Sequence, residues 1–163
     1  MSVAVLTPEI RRAKIERLRR FPDELEALVS GLSDHELFTP FIPNQMSVAQ
    51  MVHHIADEHM VFYIRIRLIL TEHQPMLKWF DHDGWAKLAD YNLPITASLV
   101  IFRNLHVRWA ALLDSLKPHE FSRVGIHTVY GEMSVDNILI LADSMCSDNL
   151  RQIARVLAVG RAE

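Results

Sequence analysis

Glycine is scarce in this chain, with five among 163 residues, and there is a single cysteine. A lone Cys146 excludes an internal disulfide and fits a reducing compartment. No apolar run approaches the roughly 18 residues that a bilayer span requires, so no membrane partner is expected. The opening MSVAVLTPEIRR has only a short apolar stretch, with its basic residues after it, which is unlike a signal peptide. A cytoplasmic location is the resulting expectation. Phosphate-cradling glycine loops are missing as well. Neither sign of charge dominates: the net charge is −3 with interspersed signs, which argues against a nucleic-acid surface. Arg11, Arg12, Arg17, Arg19 and Arg20 do cluster, but Glu9, Glu16, Asp23, Glu24 and Glu26 surround them, so they read as a solvated helix face.

Strand-like alternation is also scarce, and helical spacing is abundant. Thr7-Pro8 is a helix start, a capping hydroxyl followed by a proline in the first turn. Ile10, Ile15, Leu18, Phe21, Leu25, Leu28 and Leu32 continue the period, and Pro22 inside it predicts a kink or a restart. The segment SDHELFTPFIPNQM reads as a loop. Ser47 with Gln50 forms a capping box for a second helix running to about Glu72. His73 to Leu93, rich in Asp, Pro and aromatics, reads as a long ordered crossover. A third helix is expected from about Ile95 to Leu116, then a loop holding Gly125 and Gly131, then a fourth helix from Ser134 to Leu157. The prediction is one all-α domain over 1–163, a four-helix bundle with a long crossover between helices 2 and 3.

In the fourth helix Ile138, Ala142, Met145, Asn149 and Ile153 recur at spacings of three and four, an apolar stripe broken by one amide. Any function should sit at that polar break. Nine histidines suggest a metal, since neutral imidazole binds transition metals. His53 and His54 point about 100° apart on a helix, so at most one faces inward. His54 and Glu58 share a face, one turn apart. His54 and His59 each read equally as a ligand or as a core imidazole. No His-x-x-x-His pair occurs in the second or fourth helix, and the fourth offers only Asp143, Asp148 and Asn149 as oxygen donors. Cys146 lacks a cationic neighbour and reads as an inert buried thiol, and Ser144 and Ser147 have no identifiable base. In the crossover, DHDGWAKL sets charges beside Trp79, Phe80 and Trp85. These either line a pocket mouth or plug the bundle end while Asp81 and Asp83 cap a short helix, and the plug is favoured.

Four stretches resemble the DinB-like superfamily, which also contains YfiT-type metal-dependent hydrolases and thiol-dependent transferases. They are SVAQMVHHIADEHM, FYIRIRLIL, DHDGWAKL and GEMSVDNILILADSMCSDNLRQI, in that order along nearly the whole chain. The resemblance implies a divalent metal, often nickel or zinc, held by three histidines. One of them matches His54. The other two belong to a His-x-x-His-His-x-x-Gln-Ile pattern, and aligning its end on Gln152-Ile153 puts its histidines at Met145, Asp148 and Asn149, with the ligand pair at Met145 and Asn149. A thioether and a carboxamide are poor nickel or zinc ligands, so His54 is the one surviving metal ligand. The expected site is therefore a vestigial pocket of His54, Glu58, Met145, Asp148 and Asn149 with no cofactor, in which Asn149 hydrogen-bonds His54. The expected function is non-catalytic binding of a small molecule or a partner, by a protein that family habit makes a homodimer. The alternative is a hydrolase or thiol transferase using His54 with a nonstandard shell including Glu58, Asp148 and Asn149.

Overall fold

The computed structural model describes residues 3–162. Four long helices carry the core: α1 (Pro8–Val29), α3 (Val48–Thr71), α5 (Thr96–Ser115) and α6 (Val135–Gly160). α1 and α3 each pack against both α5 and α6, so α1 lies diagonally across from α3 and α5 from α6, while the crossover joins the neighbours α3 and α5. The caps are where the sequence puts them. The hydroxyls of Thr7, Ser47 and Ser134 accept from the amides of Ile10, Gln50 and Asn137, and the last two sites are full capping boxes.

Pro22 neither restarts nor ends α1, which is helical to Val29. A proline cannot donate to the carbonyl four residues back, here Leu18. That carbonyl is taken instead by His106 Nδ1 on α5 at 2.6 Å. His106 in turn accepts from His59 Nδ1 at 3.0 Å, and the two rings stack among Phe21, Phe102 and Trp109. His59 is therefore a core imidazole, as one of its two readings had it.

Three segments depart from the expectation. The segment before α3 contains a five-residue helix, α2 (Asp34–Phe38), closed by a Ser33/Glu36 capping box. The crossover holds β1 (Met76–Leu77), α4 (His82–Trp85) and a 3-10 turn at Ala89–Asn92. The stretch with Gly125 and Gly131 is a hairpin, not a loop: β2 (Val124–His127) and β3 (Gly131–Ser134) pair antiparallel, and β1 joins β2 in parallel. Runs of two to four residues are too short for alternation to register. Gly131 turns the hairpin at φ 72°, and a Cβ on Gly125 would lie 2.9 Å from Leu77 Cδ1, so the β1–β2 approach requires glycine. The sheet pins the start of the crossover beside the entry to α6.

Arg11 also corrects the reading of a solvated arginine face. It is 8% exposed, and its Nε and Nη2 donate to Asp136 at 2.8 and 2.7 Å. Asp136 is fully buried in the first turn of α6 and also accepts from Leu6 N at 2.8 Å. A carboxylate there suits the positive end of the helix dipole.

Candidate functional site

On α3, one turn separates His54 from Glu58, and both project towards α6. Met145 and Asn149, one turn apart on α6, line the same cavity of about 410 Å³ together with Met51 and Gln152. A second lobe of about 450 Å³ shares Glu58 and Met145 and is walled by Phe62, Trp79, Phe80, Tyr130 and Met133. The apolar stripe of α6 is fully buried at Ile138, Ala142 and Ile153 and only half-buried at Met145 and Asn149. The bundle opens at the polar break.

The crossover adds a donor that periodicity could not assign. Asp81 caps α4 by accepting from Gly84 N at 3.0 Å, as its sequence position suggested, and this sets the orientation of the next residue, His82. The His82 ring lies 3.8 Å from Phe80, 5.0 Å from Trp79 and 5.2 Å from His54, centroid to centroid. Trp79 and Phe80 thus wall the cavity and hold His82 in it, which is the pocket-mouth alternative and not the favoured plug. His54, Glu58 and His82 each bring one ligand atom within 4.8 Å of the other two.

The electrostatics keep the two imidazoles in metal-binding form. Burial, then the neighbouring His82, lowers the pKa of His54; burial, then Arg65, lowers that of His82. Both imidazoles are neutral at neutral pH and keep a lone pair. Glu58 is 3% exposed, and burial lifts its carboxyl to about 7 against the opposing pull of Arg65. His54 Nδ1 and Glu58 Oε2 are buried without a hydrogen-bond partner. Buried polar atoms normally have one, so two orphans facing one cavity need an explanation.

A divalent ion fits this donor set. Two imidazoles and a carboxylate suit zinc or nickel, and ligands around one ion at about 2.1 Å sit roughly 3–4 Å apart. The separation of up to 4.8 Å exceeds that by about 1 Å, the scale of a side-chain adjustment. The orphaned Nδ1 and Oε2 are the atoms such an ion would satisfy.

The remaining candidates are distributed as follows. The expected hydrogen bond between Asn149 and His54 is not made: Asn149 Nδ2 and His54 Nδ1 both lack partners, because cavity separates them. Asp148 stands at the rim of the larger lobe, paired with Arg151 and 3.5 Å from Ser144 Oγ. His53 does not face solvent although His54 faces the cavity. It bonds Ser98 Oγ at 2.8 Å and Leu93 O at 2.9 Å, so the crossover encloses a second side of α3. Cys146 is fully buried, and burial pushes its thiol pKa well up, consistent with inertness.

Comparison with known proteins gives the family. A protein of Geobacillus thermodenitrificans named "Putative metal-dependent hydrolase" is 45% identical over 111 residues, 68% of this chain and 62% of that relative, so the match spans less than two thirds of its length. A Bacillus mycoides protein carrying the same description is 38% identical over 80% of this chain and 75% of its own length. Among solved structures, YfiT from Bacillus subtilis, described as "a probable metal-dependent hydrolase with an unusual four-helix bundle topology", matches with a TM-score of 0.90 and 30% identity. That match covers 96% of this chain and 90% of YfiT. The DinB superfamily model matches residues 17–143. By fold, by sequence and by family model alike, the chain belongs to the DinB superfamily.

Proposed function

We propose that this chain is a divalent-metal-dependent hydrolase whose metal-binding residues are His54, Glu58 and His82, with Met145 and Asn149 standing where the resemblance expects two of the three histidines. The observation that carries the reading is the convergence of the three donors, two of them with orphaned buried atoms, on a cavity large enough for a small molecule. The names of the relatives supply the reaction class. The non-catalytic reading takes His54 as the sole ligand, and the proximity of His82 favours the hydrolase reading over it.

A bound divalent ion would supply a Lewis acid and acidify water near neutral pH. The chain's own residues do the rest. His54 and His82 present neutral imidazoles. Glu58 ionises close to working pH, so it can serve as the third donor without carrying a costly buried charge beforehand. The unpartnered Asn149 Nδ2–H is a donor placed for a substrate oxygen in the same lobe. The aromatic wall of Trp79 and Phe80 limits water at the other.

Elemental analysis tests the assignment. Untagged protein re-equilibrated with nickel, zinc and manganese should carry close to one ion per chain, and His54→Ala and His82→Ala should each fall to background. Background metal in the unmodified protein would sink the hydrolase reading and leave a metal-free binding pocket. Loss in His54→Ala with full retention in His82→Ala would remove His82 from the centre.

A further inference from the structure

Two turns beyond Glu58 on α3, Arg65 points into the larger lobe. Its residue is 6% exposed. Nη2 donates to the Lys78 carbonyl at 2.7 Å, yet the buried Nε–H has no partner. Among the described residues no carboxylate lies within ion-pair reach of it. Arg11, buried to the same degree, shows the usual solution, since Asp136 takes two of its donors. A buried guanidinium with an open donor and no counter-ion is costly, and such costs persist where a ligand removes them. Glu58, in the same lobe, acts on the guanidinium only through space, with neither a hydrogen bond nor an ion pair to it.

The rest of the lobe describes the remainder of the ligand. Phe62, Trp79, Phe80, Met133 and Leu141 form apolar walls, and the Phe80 ring sits 6.0 Å beneath the guanidinium carbon. Guanidinium donors in a planar fork match a carboxylate, and Phe80 adds a cation–π contact to the same group.

We infer that Arg65 is an anion-recognition residue of the cavity, selecting small carboxylates with an apolar or aromatic body. The inference deepens the proposed function by naming a substrate class, and it rests on that cavity being the substrate site. It does not require the metal.

The test uses phenylacetate, its neutral isostere phenylacetamide, and phenylphosphonate, titrated by calorimetry into chelator-treated protein. Phenylacetate should bind at least about tenfold more tightly than phenylacetamide, the strength expected of a charge-assisted hydrogen bond. The preference should survive His82→Ala, collapse in Arg65→Gln, and persist in weakened form in Arg65→Lys, which keeps the charge without the fork. The comparison of acid with amide on the unmodified protein stands even if Arg65→Gln fails to fold. Equal binding of acid and amide, or no saturable binding of either, would overturn the inference. Tighter binding of phenylphosphonate would overturn the carboxylate class. A preference seen only in metal-loaded protein and lost in His82→Ala would transfer the anion to the ion, overturning Arg65 while leaving the metal centre standing. Conversely, the expected Arg65 result in a protein that never retains metal would uphold this inference while the hydrolase reading fails.

Discussion

Histidines introduced together at positions 145 and 149 should raise divalent-metal affinity by on the order of 100-fold and make retention indifferent to His82→Ala. The two positions are one helical turn apart on α6, and both side chains line the lobe that contains His54 and Glu58. Met145→His/Asn149→His would therefore give the bundle three imidazoles from rigid helices in place of two imidazoles and a carboxylate. Outer partners of metal ligands alone are worth roughly 10–100-fold in affinity, so two direct ligands should be worth at least the upper figure. Competition with a chromophoric chelator measures the change in the double variant with and without His82→Ala. Affinity that stays unchanged and still needs His82 would mean that residues 145 and 149 cannot reach the ion.

Acid should unfold the protein partly through His106. Its ring is 1% exposed, and burial lowers its pKa to about 4, opposed only by the hydrogen bond to Leu18 O. The unfolded chain takes up this proton near pH 6.5 and the native one not until about pH 4. Between those values the unfolded state binds more protons, so stability falls as pH falls, by about 3 kcal/mol across the window. His59, also held neutral by burial and by its neighbour His106, shifts in the same direction. Glu58 works the other way over much of this range: its native pKa of about 7 lies above the unfolded value, so its protonation stabilises the native state as pH falls. Only a difference isolates His106. Urea unfolding of the unmodified protein and of His106→Gln, which can still donate to Leu18 O but does not titrate, should give a shallower loss of stability in the variant from pH 6.5 to 4. Parallel curves would refute the assignment.

The long helices were legible because each repeats its apolar residues every three or four positions, and all but α5 open on a hydroxyl cap. The bound at Ser47 follows from a capping box that the sequence displays directly. The short elements were not, since α2, β1 and the hairpin strands each span at most two periods, too few for a pattern to register. Of the site, the pairing of His54 with Glu58 could be read from a spacing of four. His82 could not. It lies in a connection whose path depends on the sheet and on aromatic packing, neither of which has a periodic signature, although the charges of DHDGWAKL beside Trp79, Phe80 and Trp85 marked the segment as unusual. Arg11 was misread for a similar reason, because its partner Asp136 is distant in sequence. The missing bond between Asn149 and His54 shows the opposite limit: residues that face one another across a bundle still need contact distance, and a cavity intervenes there.

The division of the proposed metal donors between α3 and the crossover has a topological consequence. Two donors belong to one helix, and the third lies roughly 24 residues further along, beyond the turn that follows that helix. An ion held by all three would close that length of chain into a ring. Closing a ring removes conformations from the unfolded ensemble, which is the effect generally attributed to a disulfide. In a chain whose one cysteine has no partner, the centre would serve as its cross-link, fastening the least regular segment of the fold to its most regular one.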